Sequence, residues 1–397
     1  MIDRMSVRTT RVQPTAQPAP LGSRQSGRFS DGNLTASTQA NAPELVAPEL
    51  GAQNPQALMR ALVGENLQRV ESTLAEVLRS RYPEVNELAS RAASLGGKRL
   101  RPCLALLSAM AVGRCDEDSI RVAATVELVH AASLVHDDVL DEATLRRHQP
   151  TIHAQVGAHR SIVLGDFLFT RAYGLAAQCR SSFAARNIAS AASELCEGEL
   201  RQHTSIGNWK IAEADYIDIL RQKTGELCAV SCRLGAWSGG GNSAAAHALS
   251  RFGRKLGIAF QVVDDWLDLW GTAQVGKTLG TDLLQRKPTL PVIRLLATRS
   301  ARERTAVIAM LDDASQHAQV RRMLDESDAA AYSLDRARRL IQSAINDLHQ
   351  LSPSAAQPSP AQPSPARPSP ARPSPARPSP ARECLEGIAL LCSSRTA

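Results

Sequence analysis

The sequence predicts an all-α protein, and three observations lead to that prediction. Apolar residues recur at spacings of three and four, no alternation of period two persists, and proline is scarce in the middle of the chain. Of the 22 prolines, five lie between residues 56 and 352: Pro83, Pro102, Pro150, Pro288 and Pro291. A β-sandwich would need frequent turn signals there. The middle of the chain therefore predicts one large helical domain.

The expected helices follow in order along the 397 residues. Helical spacing begins near Pro55, and two later stretches, 119–142 and 251–270, are expected to form long helices. Both stretches are apolar around most of a helical circumference, which is typical of helices buried inside a bundle. In the second, Gly253 and Gly257 are four residues apart, so their shared face would allow close contact with another helix.

Four segments are expected from composition. Residues 1–53 form a disordered N-terminal segment, and residues 54–351 form the helical domain. Residues 352–382 repeat PSPAR or PSPAQ with a period of five, which favours polyproline II and buries no core, so they are expected to be a disordered linker. Residues 383–397 are apolar at helical spacing again and are expected to dock back on the domain as a final helix.

Charge and cysteine usage narrow the class of protein. The net charge of +7 is spread over the chain, which argues against nucleic-acid binding. No run of about 18 apolar residues predicts a transmembrane segment. The eight cysteines form no CxxC pair, which favours free thiols in a reducing cytoplasm. The Arg-bearing, acid-poor residues 1–53 leave import into an organelle as the alternative to a cytoplasmic location.

Two aspartate clusters end the two apolar helices. They are Asp137, Asp138 and Asp141 (DDVLD), and Asp264, Asp265 and Asp268 (DDWLD). Aspartates four residues apart share a helix face and repel one another. Divalent cations relieve this repulsion, and Mg²⁺ is commonly shared between one or two carboxylates and substrate phosphates. A solvated helix end would explain one such cluster, but two favour binding of Mg²⁺, with Mn²⁺ as the alternative ion.

Basic residues bracket both clusters. They are Lys98, Arg99, Arg101, Arg146, Arg147, Lys223, Lys277 and Lys287. Cations beside carboxylate–metal sites are typical of phosphate or diphosphate binding. His130 lies seven residues before Asp137 on the same helix face, where a core role and a binding role both remain open.

The motifs GGKRLRP, HAASLVHDDVLDEATLRR, GDFLF, KTGEL and AFQVVDDWLDLWG resemble, in that order, those of the trans-type isoprenyl diphosphate synthases, or polyprenyl synthetases. The resemblance runs from about residue 60 to 350 and is greatest to the long-chain, octaprenyl- and solanesyl-type members. It implies an isoprenoid-synthase-type helical bundle around a deep central cavity, working as a homodimer. Two positions depart from the family pattern: His148 replaces a usual Gly, and Trp266 is bulkier than the usual residue.

The resemblance also implies roles for individual residues. The implied reaction is head-to-tail condensation of isopentenyl diphosphate with an allylic diphosphate. The implied metal ligands are Asp137, Asp141 and Asp264, which form the catalytic set together with Lys223. The residues implied to hold the allylic diphosphate are Arg146, Lys223, Thr224, Gln261 and Lys277. Those implied to hold isopentenyl diphosphate are Lys98, Arg101, His130 and Arg147.

Product length is predicted from the helix that precedes Asp137. Short-chain members of the family commonly place an aromatic floor four or five residues before the first aspartate, whereas this chain has Ser133 and Ala132 there, and Val129 one turn below. We therefore predict a medium- or long-chain all-trans product, such as a quinone side-chain precursor, whose apolar chain would draw the enzyme to membranes. A geranylgeranyl or farnesyl diphosphate synthase is the alternative, because an aromatic residue of another helix would also close the tunnel. The candidates are Phe167, Phe169 and Tyr173.

Three further alternatives come from other classes of protein. A class I terpene cyclase shares the first aspartate cluster but carries an Asn/Ser/Glu triad in place of the second. A non-catalytic subunit of a heteromeric prenyl synthase would usually lack one cluster, and this chain keeps both. A scaffold protein would bind its partner through residues 352–382 alone.

Overall fold

The computed structural model describes residues 55–95, 97–146, 149–271, 279–351 and 379–394. The first seven helices are α1 (Pro55–Val77), α2 (Pro83–Ser94), α3 (Leu100–Val112), α4 (Glu117–Leu140), α5 (Ile152–Ala177), α6 (Ser182–Thr204) and α7 (Glu213–Leu220). The remaining helices are α8 (Glu226–Ser238), α9 (Ser243–Trp270), α10 (Thr281–Leu284), α11 (Leu290–Ala297), α12 (Ala301–Leu311), α13 (His317–Asp325), α14 (Ala329–His349) and α15 (Pro380–Ser394). The all-α prediction is confirmed. After α4, the chain forms a short antiparallel hairpin of β1 (Leu145–Arg146) and β2 (Gln149–Pro150), which the sequence did not predict.

The two long apolar helices predicted from the sequence are α4 and α9. Helix α4 begins two residues earlier than expected because Asp116 and Ser119 form a capping box: the Asp116 carboxylate accepts the Ser119 N–H at 2.9 Å. Helix α9 begins eight residues earlier, at Ser243, since the Asn242 side chain accepts the Ala245 N–H at 2.9 Å. Both helices contribute one buried side chain after another to the main core.

Helix α4 packs against α5, α3, α8 and α1, and helix α9 packs against α8 and α14. The close contact expected at the two glycines is confirmed. A Cβ placed on Gly257 would lie 3.0 Å from both the Gly225 Cα and the Thr224 carbonyl oxygen, and one on Gly253 would overlap the Cys228 carbonyl oxygen. Small residues at this contact therefore bring α9 directly against the backbone that leads into α8.

A smaller apolar cluster lies around α11, α12 and α13 and includes Trp209, Leu283 and the end of α9 at Leu269. In the part of the chain that the structure describes, no helix has both the length and the apolar character needed to cross a membrane. No disulfide joins any of the eight cysteines, all of which lie within the described ranges.

The last helix begins at Pro380, three residues before the boundary expected from the sequence. Ser379 precedes the helix, and its carbonyl oxygen accepts the Arg382 N–H at 2.8 Å. Pro380 occupies the first helical position, where no helical hydrogen bond is lost through its missing N–H. The final Ser-Pro of the repeat therefore also starts a helix. Helix α15 packs against α14, α3, α1 and α9 through a buried face of Ala381, Cys384, Leu385, Ala389 and Cys392.

The two chain ends that flank residues 352–378 lie close together. A guanidinium nitrogen of Arg382 donates to the Leu351 carbonyl oxygen at 2.9 Å. The predictions of disorder for residues 1–53 and for most of the 352–382 repeat fall outside the described residues.

Candidate active site

The two aspartate clusters lie at the C-terminal ends of α4 and α9. Asp137 and Asp138 are in the last turn of α4, and Asp141 is its C-cap residue. Lys287, which follows the second cluster, approaches the first: its ammonium nitrogen lies 3.0 Å from an Asp141 carboxylate oxygen. The Lys287 N–H donates to the Asp282 carbonyl oxygen at 2.8 Å, and Asp282 contacts Asp268, so this segment links the ends of α4 and α9 at one common site.

Lys223 is directed at the first cluster. Its ammonium group is held from α6 by Glu199 at 2.6 Å and by the Gln202 side-chain oxygen at 2.7 Å. Burial alone would lower the pKa of Lys223, but the charges of Asp137 and Glu199 outweigh burial and raise it. Burial raises the pKa of Asp137 to about 6; Lys223 opposes this rise, whereas Glu199 and Asp141 add to it. The site thus concentrates negative charge around one buried ammonium group.

Lys223 and Thr224 belong to a π-helical turn, Arg221–Gly225, between α7 and α8. Single π turns inside helical segments often occur at functional sites. Gly198 of α6 makes room for this turn, since a Cβ there would lie 2.7 Å from the Lys223 backbone nitrogen. The KTG motif identified these residues in the sequence, but nothing in its spacing indicated the wider turn.

The second cluster is fixed by a chain of hydrogen bonds. The Gln261 amide donates to Asp265 at 2.9 Å, the Tyr216 hydroxyl donates to the other Asp265 oxygen at 2.7 Å, and the Thr224 hydroxyl donates to Gln261 at 3.2 Å. Burial raises the pKa of Asp265 to about 6 in spite of these donors. Asp265 therefore anchors α9 to the turn that carries Thr224, through partners that the sequence did not reveal.

Asp268 holds the segment that follows α9. Its carboxylate accepts the backbone N–H groups of Thr281 and Asp282 at 3.2 and 3.1 Å. The sequence spacing predicts that Asp268 shares a helix face with Asp264. In the structure, the Asp268 carboxylate also binds the first residues of α10.

Asp138 is hydrogen-bonded to Arg146. Arg146, on β1, donates to one Asp138 oxygen through Nε at 2.9 Å and lies 2.8 Å away through Nη2. The Asp138 side chain is 1% exposed, and burial raises its pKa although Arg146 opposes the rise. Arg146, predicted to bind a diphosphate, is thus positioned at the site by a buried carboxylate.

The residues predicted to hold isopentenyl diphosphate lie where α3 begins and on α4. Lys98 is exposed in the turn before α3, Arg101 is half-buried in the first turn of α3, and His130 is half-buried on α4. Between Lys98 and Arg101, the Arg99 guanidinium forms an ion pair with Glu127 at 2.7 Å, a contact that the sequence did not predict. Three positions singled out from the sequence lie outside the described residues: Arg147, His148 and Lys277.

The positions predicted to set product length are buried in α4. Val129 and Ala132 are inaccessible to solvent, and Ser133 is 8% exposed, with its hydroxyl donating to the His130 carbonyl at 2.9 Å. Of the three aromatic candidates on α5, Phe169 reaches α4: its ring centroid lies 5.9 Å from that of His136, beside Asp137. Tyr173 stacks on Phe169 at 6.3 Å and is partly exposed. Phe167 lies against the Arg171 guanidinium.

Trp266, the bulky residue inside the second cluster, packs against Trp270 one turn later, with ring centroids 5.6 Å apart. This departure from the family pattern is accommodated between side chains of the same helix.

The oxygen donors of both clusters fit Mg²⁺. All of them are carboxylates, which are the hard ligands that Mg²⁺ prefers. Within the described ranges, no three carboxylate, imidazole or thiol groups are gathered as a complete ligand set. Mg²⁺ does not require one, because water and substrate phosphates commonly complete its octahedron. The arrangement suits a metal ion that is shared with a diphosphate.

Comparisons with known proteins agree with this geometry. The family model for polyprenyl synthetase matches residues 82–327. The chain is 34% identical over 300 residues to octaprenyl diphosphate synthase of Haemophilus influenzae, covering 75% of this chain and 91% of that protein. It is 35% identical over 301 residues to heptaprenyl diphosphate synthase component 2 of Geobacillus stearothermophilus, covering 75% and 94%.

A solved structure gives the same result for the fold. The polyprenyl synthase of Caulobacter crescentus CB15, complexed with calcium and isoprenyl diphosphate, superposes with a TM-score of 0.74 at 30% identity. The superposition covers 86% of this chain and 98% of that one.

Proposed function

Because the chain belongs to the polyprenyl synthetase family and is a prenyl-transferring enzyme, we propose that it adds isopentenyl diphosphate head-to-tail to an allylic diphosphate and makes a medium- or long-chain all-trans polyprenyl diphosphate. One observation carries the proposal: two carboxylate clusters border one site, with Lys223 and Lys287 reaching the first of them. This arrangement matches a substrate whose leaving group is a diphosphate.

Ionisation of the allylic substrate breaks a C–O bond and leaves negative charge on the departing diphosphate. We assign the metal ligands to Asp137, Asp141 and Asp264; Mg²⁺ held there would stabilise the departing charge as a Lewis acid. Lys223 is already oriented toward that position by Glu199 and needs no reorganisation when charge develops, which is where electrostatic stabilisation is most effective. The other assigned contacts to this diphosphate are Arg146, Thr224, Gln261 and Lys277.

The carbocation must react with an alkene and not with water. The buried apolar residues of α4 beneath Asp137 support an environment from which water is excluded. The second substrate, isopentenyl diphosphate, is assigned to Lys98, Arg101, His130 and Arg147. A cyclase needs no second diphosphate site, so these cations favour chain elongation.

Product length is the finer part of the proposal. Ala132 and Ser133 place no aromatic ring on α4 below the first cluster, which supports a long product. The octaprenyl synthase relative is consistent with that length. The alternative, a geranylgeranyl or farnesyl product, is favoured by one observation: the Phe169 ring lies against α4 at His136, next to Asp137.

Purified protein incubated with labelled isopentenyl diphosphate and allylic primers of several lengths tests both parts. We expect Mg²⁺-dependent elongation that EDTA abolishes, with products longer than farnesyl. Asp264→Asn should reduce turnover by about a thousandfold, because it weakens leaving-group stabilisation, whereas Asp328→Asn, outside both clusters, should not. EDTA-resistant turnover or a fully active Asp264→Asn variant would contradict the proposed chemistry.

We further propose a homodimer formed through α5 and α6. Ile162 and Tyr173 are exposed and eleven residues apart, so they share one face of α5; Val163 beside them is 55% exposed, and Leu200 of α6 is 68% exposed. Exposed apolar residues grouped in this way suit a protein interface. Sedimentation of the wild type should report a dimer, and Val163→Glu should dissociate it.

The name of the heptaprenyl relative, component 2, supports a second possibility, in which this chain needs a different polypeptide as its partner. The elongation assay with the purified protein decides between a homodimer and a heteromer, because a chain that elongates primers on its own needs no other subunit. An inactive pure chain that regains turnover with cell extract would instead support the heteromer. The wider proposal includes a cytoplasmic location and a product that draws the enzyme to membranes; cell fractionation tests both.

A further inference from the structure

Arg99 has an unusual backbone conformation for its residue type. It is the N-cap residue of α3, with φ 52° and ψ 38°, in the left-handed region that side chains with a Cβ rarely adopt. Such a conformation persists when surrounding contacts hold it, and it is most frequent at functional sites. Lys98 precedes Arg99 directly, and Arg101 follows two residues later.

The Arg99 guanidinium is held by three helices. Its Nη1 donates to a carboxylate oxygen of Glu127 on α4 and to the Ala93 carbonyl oxygen on α2, both at 2.7 Å. Nε and Nη2 contact the two carboxylate oxygens of Glu71 on α1 at 2.6 and 3.0 Å. These bonds use the planar fork of donors that arginine has and lysine lacks. They hold the start of α3 against α1, α2 and α4 at once.

Glu127 is the buried partner in this group. Its side chain is 2% exposed, and its second oxygen has no hydrogen-bond partner in the structure. Burial raises the pKa of Glu127, while the charges of Arg99 and Arg101 oppose the rise, so Arg101 also lies near this carboxylate. Glu127 is three residues before His130 and lies on the same side of α4.

We propose that Arg99 and Glu127 are positioning residues for isopentenyl diphosphate: their ion pair fixes the turn bearing Lys98 and Arg101 against the part of α4 bearing His130. The inference rests on the proposed function, since it assigns the three cations to that substrate. Arg99 itself points into the helix junction, where it is bonded to Glu71, Ala93 and Glu127. Its effect on the substrate is exerted through the placement of the cations that flank it in sequence.

Steady-state kinetics with each substrate varied separately tests the inference. In Arg99→Lys and Glu127→Gln, we expect KM for isopentenyl diphosphate to rise about tenfold, with KM for the allylic primer and kcat changed less than twofold. Arg99→Gly should behave in the same way, because glycine tolerates the left-handed conformation but provides no ion pair. Glu71→Gln is the matched control: it removes only the charge of the 45% exposed partner of the same guanidinium, where solvent weakens the ion pair, and should change both KM values less than twofold.

Thermal unfolding of each variant separates positioning from general loss of structure. A selective rise in the KM for isopentenyl diphosphate in folded Glu127→Gln supports the inference. Unchanged KM values in folded Arg99→Lys and Glu127→Gln overturn the inference. A fall in kcat together with a rise in both KM values, in proportion to the fall in melting temperature, also overturns it. A wild-type enzyme that elongates no primer contradicts the proposed function instead, so the two failures are distinguishable.

Discussion

At the end of α4, Asp137 and Asp138 are neighbours in sequence but differ in their partners. Asp138 has Arg146 within hydrogen-bonding distance, whereas Asp137 faces the ammonium of Lys223 together with two other carboxylates. The same substitution should therefore affect the two positions in opposite ways.

Asp137→Asn should abolish most turnover and leave the free energy of unfolding equal or higher, because it removes a buried charge that repels Asp141 and Glu199. Asp138→Asn should lower the free energy of unfolding by about 1 kcal/mol, since it replaces the buried acceptor of Arg146, whose side chain is 29% exposed, with a poorer one. Urea unfolding of both metal-free variants, measured beside their turnover, makes the comparison. Equal destabilisation by the two changes would show that Asp138 is not the structural member of the pair.

At this scale, the sequence predicted which side chains would lie near one another better than what each one contacts. Helical spacing put Asp137 and Asp141 on one face, and the structure brings both near Lys223. It could not assign Asp265 to Tyr216, because that contact joins helices 49 residues apart. Arg99 was equally hidden, since its partners come from three other helices whose packing no local pattern encodes.

Among the helices, the contact of α9 with the π-helical turn places Thr224 beside Gln261. One turn earlier on the same face of α9, Gly253→Ala should push α9 away from α8 and lower the free energy of unfolding by about 1–3 kcal/mol, because the new Cβ would overlap the Cys228 carbonyl oxygen. Gly64→Ala on α1, where a Cβ meets no atom within 4 Å, should raise stability by about 0.5–1 kcal/mol. Denaturant titrations of both variants measure the difference, and a stabilising Gly253→Ala would mean that α9 can move away freely.

Helix α4 gives the prediction on product length. Ala132→Phe or Ser133→Phe should shorten the product, because a ring there would fill the tunnel below the first cluster. Both positions are buried, so overpacking should also cost about 1–3 kcal/mol of stability. Ala131→Phe controls for that cost, as it enlarges an equally buried alanine on a neighbouring face of the helix. Chromatographic sizing of products settles the assignment, and unchanged lengths in both Phe variants would contradict it.

The long apolar helices were predictable because each contains an apolar, proline-free stretch of about 20 residues or more that covers most of a helical circumference. Two local irregularities were not: the π-helical turn at 221–225 and a break inside α5 at Gly157, where φ is 81°. The π-helical turn depends on what packs against it, such as the α6 backbone at Gly198. The early starts of α4 and α9 depended on caps whose polar residues have no apolar period.

For the whole molecule, the contact between Arg382 and Leu351 brings together the ends of a segment 27 residues long, 352–378. Replacing that segment with about seven Gly/Ser residues should keep turnover and raise the free energy of unfolding by about 1 kcal/mol, because two halvings of loop length reduce the entropy lost on closure. Deleting residues 379–397 should instead destabilise the protein, since α15 covers part of the core. A folded but inactive short-loop variant would assign the repeat a role in the reaction.

The position of α15 at the end of the sequence also affects how the newly made chain folds during synthesis. Helices α1, α3, α9 and α14 leave the ribosome before the helix that covers them. At about 5–20 residues per second, synthesis of 352–378 alone delays α15 by roughly 1–5 s. During that interval, the apolar surface that Cys384 and Leu385 later cover is exposed on the nascent protein. Chaperone capture and premature aggregation should therefore be greatest for chains that stop within the repeat.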